Sequence, residues 1–330
     1  MPADEIIKPE SEYPIAFAAR NPNESIRRRS SSGGAFHALA SYVITNLNGV
    51  VYGCAFNEFQ KAIHVRCETL EEVGRCMGSK YSQSDMGNSI QSICSDLEEG
   101  RFVLFTGTPC QVAAVRLMCQ DPRLLTADLV CHGVPSPLVF QDFLSTIESV
   151  RGKQIVGYEH RPKTAGWGHY EKALYHDGTP EQATRLISTW KNYFYDNRSL
   201  RPSCYSCPFA TTRREGDITI ADFWGIENTS SSRSDDYRGV SLLLVNSDAG
   251  KRLLPMLELD MEEQPLSAAL PRNPMLCKPS TFHGERAEVW SLLYSEGFLS
   301  MSKKERFLPP LRRSLVAKFK YIAKRILRGR

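Results

Sequence analysis

The sequence contains no run of eighteen apolar residues, so nothing in it reads as a membrane span. Its opening stretch, MPADEIIKPESEYP, lacks both a basic segment and an apolar segment, and is expected not to be a signal peptide. No internal repeat appears, and no Pro/Gly/Ser-rich linker divides the chain. One large domain with a C-terminal extension is therefore expected. A composition of 42% hydrophobic and 24% charged residues excludes collagen-like, coiled-coil and broadly disordered chains. At 330 residues the chain can bury a large core without disulfide staples. Without a signal peptide the expected compartment is the reducing cytoplasm, where disulfides are not expected.

Two features stand against these absences. The first is the distribution of charge. Residues 303–330 carry eleven Lys/Arg and one acid, Glu305, which leaves 30 basic and 36 acidic residues in 1–302. An overall charge of +4 thus hides a body of −6 and a strongly basic tail. The second is ten cysteines. Cys54, Cys94 and Cys119 sit in apolar runs and read as core, and Cys67, Cys76 and Cys277 have no ligand-like neighbours. Cys110, Cys131, Cys204 and Cys207 remain.

Hydrophobic patterning predicts strands at 15–20, 50–56, 102–105, 124–130, 216–226 and 240–246. Helices are predicted over 34–47, 69–76, 87–98 and 112–118, the second capped by Thr69 with Glu72. Residues 227–236 read as a polar loop. The alternation argues an α/β protein, a mixed β-sheet flanked by helices with a C-terminal amphipathic helical extension. The expected layout is a loose leader over 1–14, an α/β domain over 15–260, a connecting segment over 261–302 and a basic helix over 303–330.

Several motifs lie at the joints of these elements. Thr106–Gln111 (TGTPCQ) links a buried strand to a helix, a place where backbone N–H groups suit a phosphate or thiolate. A plain turn with a buried Cys is an equal reading. CHGVPSP also follows a strand, and its Cys131 lies 21 residues after Cys110, a spacing that fits one βαβ unit. Cys204 and Cys207 form the single C-x-x-C, whose spacing lets two thiolates chelate one metal centre. With Cys110 and Cys131 it would make a four-cysteine set for zinc or a 4Fe-4S cluster. A thioredoxin-like role fits less well, because this C-x-x-C does not open a helix after a strand. The stretch Ser30–Gly34 could cradle phosphate but lacks both G-x-G-x-x-G and the P-loop Lys-Ser/Thr, so a serine cap with a glycine turn is its simpler reading. Gly78–Asp85 offers Lys80, Tyr81 and hydroxyls in a loop.

Taken in order, SSSGGAF, GSKYSQSD, LFTGTPCQVA, DLVCHGVPSP, HRPKTAGWG, RPSCYSCPF, DITIADFWGI and GVSLLLVN resemble the coenzyme F420 hydrogenase/dehydrogenase beta-subunit family, from about Ile15 to about Gly250. The resemblance implies an oxidoreductase with FAD and a 4Fe-4S cluster, the flavin linking hydride and single-electron steps. It implies Cys110, Cys131, Cys204 and Cys207 as cluster ligands. It places Ser32, Gly33, Gly34, Gly78, Ser79, Lys80, Tyr81, Thr106, Gly107, Thr108 and Gln111 at the flavin, with Lys80 and His132 as candidate catalytic groups. The N-terminal ferredoxin-like domain of many relatives is absent here, so a separate redox partner protein such as a ferredoxin is expected. Where the family pattern has F-R-D-K, this chain reads His160-Arg161-Pro162-Lys163, which removes an acid and questions deazaflavin use. A non-catalytic zinc scaffold at a membrane surface, and a reductase of a polysaccharide-pathway intermediate, are the alternative functions.

In the tail, Leu311, Leu315, Phe319, Ile322, Ala323 and Ile326 recur at helical spacing between Arg312, Arg313, Lys318, Lys320, Lys324, Arg325 and Arg328. Such a helix suits an anionic lipid surface or packs on the body or a partner; the two readings are comparable. Nucleic acid is not expected, since the body is acidic and no readout motif appears.

Overall fold

A computed structural model describes residues 13–232 and 237–328. Residues 1–12 of the leader, 233–236 of the polar loop and the last two residues of the tail lie outside the described residues.

The apolar runs form strands β1 (Ile15–Arg20), β2 (Val50–Phe56), β3 (Ala62–Cys67), β4 (Val103–Gly107) and β5 (Leu124–Leu129). Strands β6 (Ile155–Glu159), β7 (Lys172–Tyr175), β8 (Pro180–Gln182), β9 (Ile218–Asp222), β10 (Ser241–Val245) and β11 (Asp260–Gln264) follow. Eight strands make one sheet in the order β11-β1-β10-β9-β5-β4-β2-β3. Its centre, β9-β5-β4-β2, is parallel, and antiparallel strands close both sides. The mixed sheet expected from the sequence is therefore present.

Helices cover both faces of this sheet. Those N-terminal to β5 are α1 (Glu24–Arg29), α2 (Ala35–Ser41), α3 (Leu70–Cys76), α4 (Ser89–Glu98) and α5 (Pro109–Met118). Period-two alternation along β2 explains the two-sided core. Val51 packs with Leu39, Val43 and Val73 of α2, its continuation and α3, whereas Val50 and Tyr52 pack with Ile93, Leu97, Val112 and Val115 of α4 and α5. Helix α3 starts at the expected capping box: the Glu72 N–H donates to Thr69 Oγ1 at 3.3 Å, and the Thr69 N–H donates to Glu72 Oε2 at 3.1 Å.

Two helices on one face correct an expectation about thiols. Side by side, α4 and α5 bring Cys94 and Cys119 to a Cα–Cα distance of 5.7 Å, and the two are disulfide-bonded rather than free core cysteines. Their separation of 25 residues gave no hint of this pairing.

The second half of the chain builds a further core. Helices α6 (Pro137–Arg151), α7 (Thr189–Tyr195), α8 (Asp248–Leu253), α9 (Leu266–Ala269), α10 (Arg286–Lys304) and α11 (Leu311–Arg328) complete the fold. Phe140, Phe143 and Ile147 of α6 meet Tyr158 of β6, Trp190 and Tyr193 of α7, and Val289, Phe298 and Met301 of α10. Residues 261–302 are thus structural: β11 pairs with β1, and α10 packs on α6. Helix α11 is the basic amphipathic extension, and no helix among the described residues is long and apolar enough to cross a membrane.

Candidate functional site

Parallel strands β4, β5 and β9 all end at the same edge of the sheet, so the residues following them meet there. In open α/β sheets this edge is where ligands bind. β4 runs through Gly107 into Thr108 and Cys110 at the start of α5; β5 leads to Cys131 and His132; β9 ends at Asp222.

Hydrogen bonds connect the motifs at this edge. The Thr108 backbone N–H and hydroxyl both donate to Gln111 Oε1 at 3.0 Å. That leaves the Gln111 amide to donate to Ser84 Oγ at 2.9 Å. The Ser79 N–H and hydroxyl both donate to Ser31 Oγ at 2.8 Å. Ser32 Oγ donates to the Val240 carbonyl at 2.7 Å, and the Gly33 N–H donates to Ser241 Oγ at 2.9 Å. Four stretches far apart in sequence are joined into one rim: 31–34, 78–84, 106–111 and 240–241.

Two glycines explain why this rim closes. A Cβ on Gly33 would lie 2.2 Å from the Ala19 carbonyl and 2.5 Å from the Ser241 nitrogen, so only glycine lets this loop lie on β1 and β10. Gly78 has the left-handed φ of +83°, and a Cβ there would meet nothing within 4 Å, so its loop borders open space. Tyr81 is in the same loop and stacks on Phe194 with 4.4 Å between ring centroids. Lys80 turns back: its ammonium donates to the carbonyls of Arg75, Cys76, Met77 and Gly78 at 2.9–3.2 Å, closing the C-terminus of α3. Burial lowers its pKa.

The four cysteines come from three segments and share one neighbourhood. Burial, followed by the nearby Cys204, Cys110 and Cys207, pushes the Cys131 thiol up to about 12. Burial also raises the Cys204 thiol, with Cys207 and Cys110 contributing. The Gly133 N–H donates to Cys131 Sγ at 3.4 Å. At φ +113°, a Cβ on Gly133 would stand 2.9 Å from Leu200 and 3.2 Å from Cys204, so the 131–134 loop can lie against the C-x-x-C segment. The Arg201 N–H donates to the Val134 carbonyl at 2.8 Å, fixing that contact. An all-thiol donor set suits zinc or iron–sulfur. Among the described residues, however, no three His, Cys, Asp or Glu groups are gathered in the arrangement of a metal site.

Sequence reasoning gave no role to the group that holds this segment. Arg214 and Asp128 form an ion pair at 3.0 Å with side-chain exposures of 1% and 0%. Arg214 also donates to the carbonyls of Phe209, Thr211 and Leu129 and to Thr219 Oγ1. It thereby ties the residues just after Cys207 to the end of β5, next to Cys131. An Arg in TTRREGD resembles any surface cation until the fold buries it.

A polar and aromatic wall completes the site. Arg161 makes a bidentate pair with Asp222, and Trp167 Nε1 donates to Asp222 Oδ1 at 2.6 Å. Burial works against the Asp222 carboxylate, but Arg161 outweighs it and the net shift is downward. Lys163 donates to the carbonyls of Arg27 (2.7 Å) and Ser32, joining the HRPK segment to the serine loop. Trp224 stacks on Trp167 at 4.5 Å and on His169 at 5.1 Å. Burial, then the Arg161 charge, holds His169 near 4. Tyr195 links His169, Tyr81 and His132, whose ring centroids lie 5.1, 6.0 and 5.2 Å away. His132 Nε2 is buried and has no hydrogen-bond partner among the described residues. Asp222, Trp224, His169 and Tyr195 were not singled out as site residues. Their aromatics are grouped locally, in ADFWG and in WKNYFYDN (190–197), but only the fold makes the two groups converge.

Comparison with known proteins adds to this geometry. A family model for the C terminus of the coenzyme F420 hydrogenase/dehydrogenase beta subunit matches residues 100–267. That span holds the four cysteines, the HRPK segment and Asp222, but not the 31–34 and 78–84 loops. No curated protein matches the sequence significantly. Among solved structures, a chain of the xenon-derivatized F420-reducing [NiFe] hydrogenase complex from Methanosarcina barkeri shares the fold. Its TM-score is 0.51 at 17% identity, covering 79% of this chain and 87% of that one. A family model spanning half of the sequence, with its matched motifs gathered at one sheet edge, shows that the chain belongs to the coenzyme F420 hydrogenase/dehydrogenase beta-subunit family, a family of oxidoreductases.

Proposed function

We propose that this chain is a flavin-dependent iron–sulfur oxidoreductase, with FAD at the rim formed by 31–34, 78–81 and 106–111 and a 4Fe-4S cluster on Cys110, Cys131, Cys204 and Cys207. The observation that carries this reading is the contact of the 131–134 loop with the C-x-x-C segment, at the same sheet edge as Cys110 and beside a rim of glycines and hydroxyls. When bound, the flavin supplies the exchange between two-electron and one-electron steps.

The chain's own residues have definable tasks. Ser32, Ser79 and Thr108 fix the loops through hydrogen bonds, and the capping box at the start of α5 leaves only the Cys110 N–H there for an anion. Tyr81, stacked on Phe194, gives a rigid aromatic side. His132, next to Cys131 in sequence, keeps a buried Nε2 without a hydrogen-bond partner among the described residues and is the candidate group for the flavin. Lys80 acts as a positioning residue, holding the 78–81 loop by its four carbonyl contacts. The Arg161–Asp222 pair, covered by Trp167 and Trp224, excludes water from the far wall. A separate redox protein such as a ferredoxin would approach from the side of Cys110, the exposed member of the four. The proposed location is the cytoplasm.

Anaerobic purification followed by iron, sulfide, zinc and flavin analysis tests this reading. The expected result is one FAD and four irons per chain. Cys204→Ser is expected to lose iron and remain soluble. One zinc per chain and no flavin would replace the proposal with the scaffold alternative.

A further inference from the structure

Helix α11 has two sides with different environments. Tyr321 is its one buried residue among those whose side chains are described: its hydroxyl lies 2.9 Å from Thr164 Oγ1, and its ring meets Tyr170 edge-on at 5.2 Å. At about 100° per residue, Leu311, Leu315, Phe319, Ile322 and Ile326 fall within an arc of about 80°, turned about 120° from Tyr321. Those five are exposed by 43–69%. The helix is therefore held on the body by one side, and its main apolar stripe points elsewhere. Exposed Lys318 and Arg325 border the stripe on one flank, and Lys320 and Lys324 lie about 140° and 180° from its centre, on the far face. No acid occurs between Leu311 and Arg328.

We propose that α11 docks this protein on an anionic phospholipid surface. The stripe enters the acyl boundary while the flanking cations meet lipid phosphates. Charge complementarity selects this occupant. The body of −6 is repelled by such a surface, whereas the segment 303–330 carries eleven cations and one acid. Because Tyr321 rests on Thr164 and Tyr170, docking holds the 160–170 loop, with Arg161 and Lys163, beside the bilayer. The inference does not depend on the redox reading.

The test is sedimentation of the full chain with vesicles of pure phosphatidylcholine and of an equal phosphatidylcholine–phosphatidylglycerol mixture. Binding to the mixed vesicles is expected, weakening as salt is raised. Leu315→Glu/Phe319→Glu should weaken it by at least about a hundredfold, and Lys318→Glu/Arg325→Glu should flatten its salt dependence. All four positions are exposed, so unfolding midpoints should stay unchanged. Equal binding to both vesicle types, or wild-type binding by the apolar-face variant, overturns the proposal. So does a wild-type dimer that the same variant converts to monomer, which would make a second copy the occupant.

Discussion

The buried Arg214–Asp128 pair offers the sharpest test of how the candidate site is held. All five guanidinium N–H donors are used: on Asp128 Oδ1, the carbonyls of Leu129, Phe209 and Thr211, and Thr219 Oγ1. The second Asp128 oxygen accepts the N–H groups of Glu215 (3.1 Å) and Gly216 (3.0 Å). Arg214→Met leaves the carboxylate without its cation and three carbonyls without a donor, so a cost of about 3–5 kcal/mol is expected. With a urea m value of about 3 kcal/mol/M, the unfolding midpoint should fall by about 1–1.7 M. Arg214→Lys should be intermediate, since an ammonium has three donors and no planar fork. Asp128→Asn/Arg214→Met should cost less than the two single changes together, because it removes the stranded charge. Far-UV circular dichroism during urea titration reads wild type, the three single variants and the double variant. An unfolding free energy for Arg214→Met within about 1 kcal/mol of wild type, or strict additivity in the cycle, would refute the view that this pair clamps the segment after Cys207 to β5.

Three further outcomes follow from the same geometry. Gly33→Ala should destabilise the protein by about 3 kcal/mol or more, because its Cβ meets backbone at 2.2 and 2.5 Å; Gly78→Ala, with open space around it, should cost only about 1–2 kcal/mol for its φ, and equal urea midpoints would contradict the contrast. Glu171 is buried beside His160 and Tyr158, and burial raises its carboxyl to about 8. The native state therefore keeps a proton that the unfolded chain releases near pH 4.3, and this contribution to stability is lost as pH rises toward 8. Glu171→Gln should remove about 1.5 kcal/mol of the stability change between pH 6.5 and 8; His160, which burial holds near 3 in the native state, is present in both proteins and drops out of the difference; parallel wild-type and variant curves would reject it. Tyr321→Ala should free α11 from the Tyr170 ring and cut the protection of 311–328 in hydrogen exchange, with unchanged protection as the contrary result.

Local rules carried far in this chain. The capping box at Thr69 and Glu72, the helix over 89–98 and the buried strands β2, β4, β5 and β10 follow from residues adjacent in sequence. The four proposed ligand cysteines were separated from the other six by their neighbours alone. Strand β3 and helix α6 carried weaker signals. β3 reads AIHVRC, with a His and an Arg among its apolar residues. In α6, the Pro137 that begins the helix also looks like the end of the CHGVPSP loop.

Composition and periodicity by themselves determined the α/β class, the acidic body with its basic tail and the amphipathic character of 311–328. Each of these depends on residues within a few positions of one another. Tertiary structure alone decided which distant groups meet. It joined Cys94 to Cys119, set Ser79 on Ser31 and Ser84 on Gln111, paired Arg161 with Asp222, and turned Arg214 from an apparent surface cation into a buried clamp. It also chose the Tyr321 side of α11, and not the Leu311–Ile326 stripe, as the contact with the body. The reason is physical: strand order and crossover path bring these partners together, and neither is written in any short stretch of sequence.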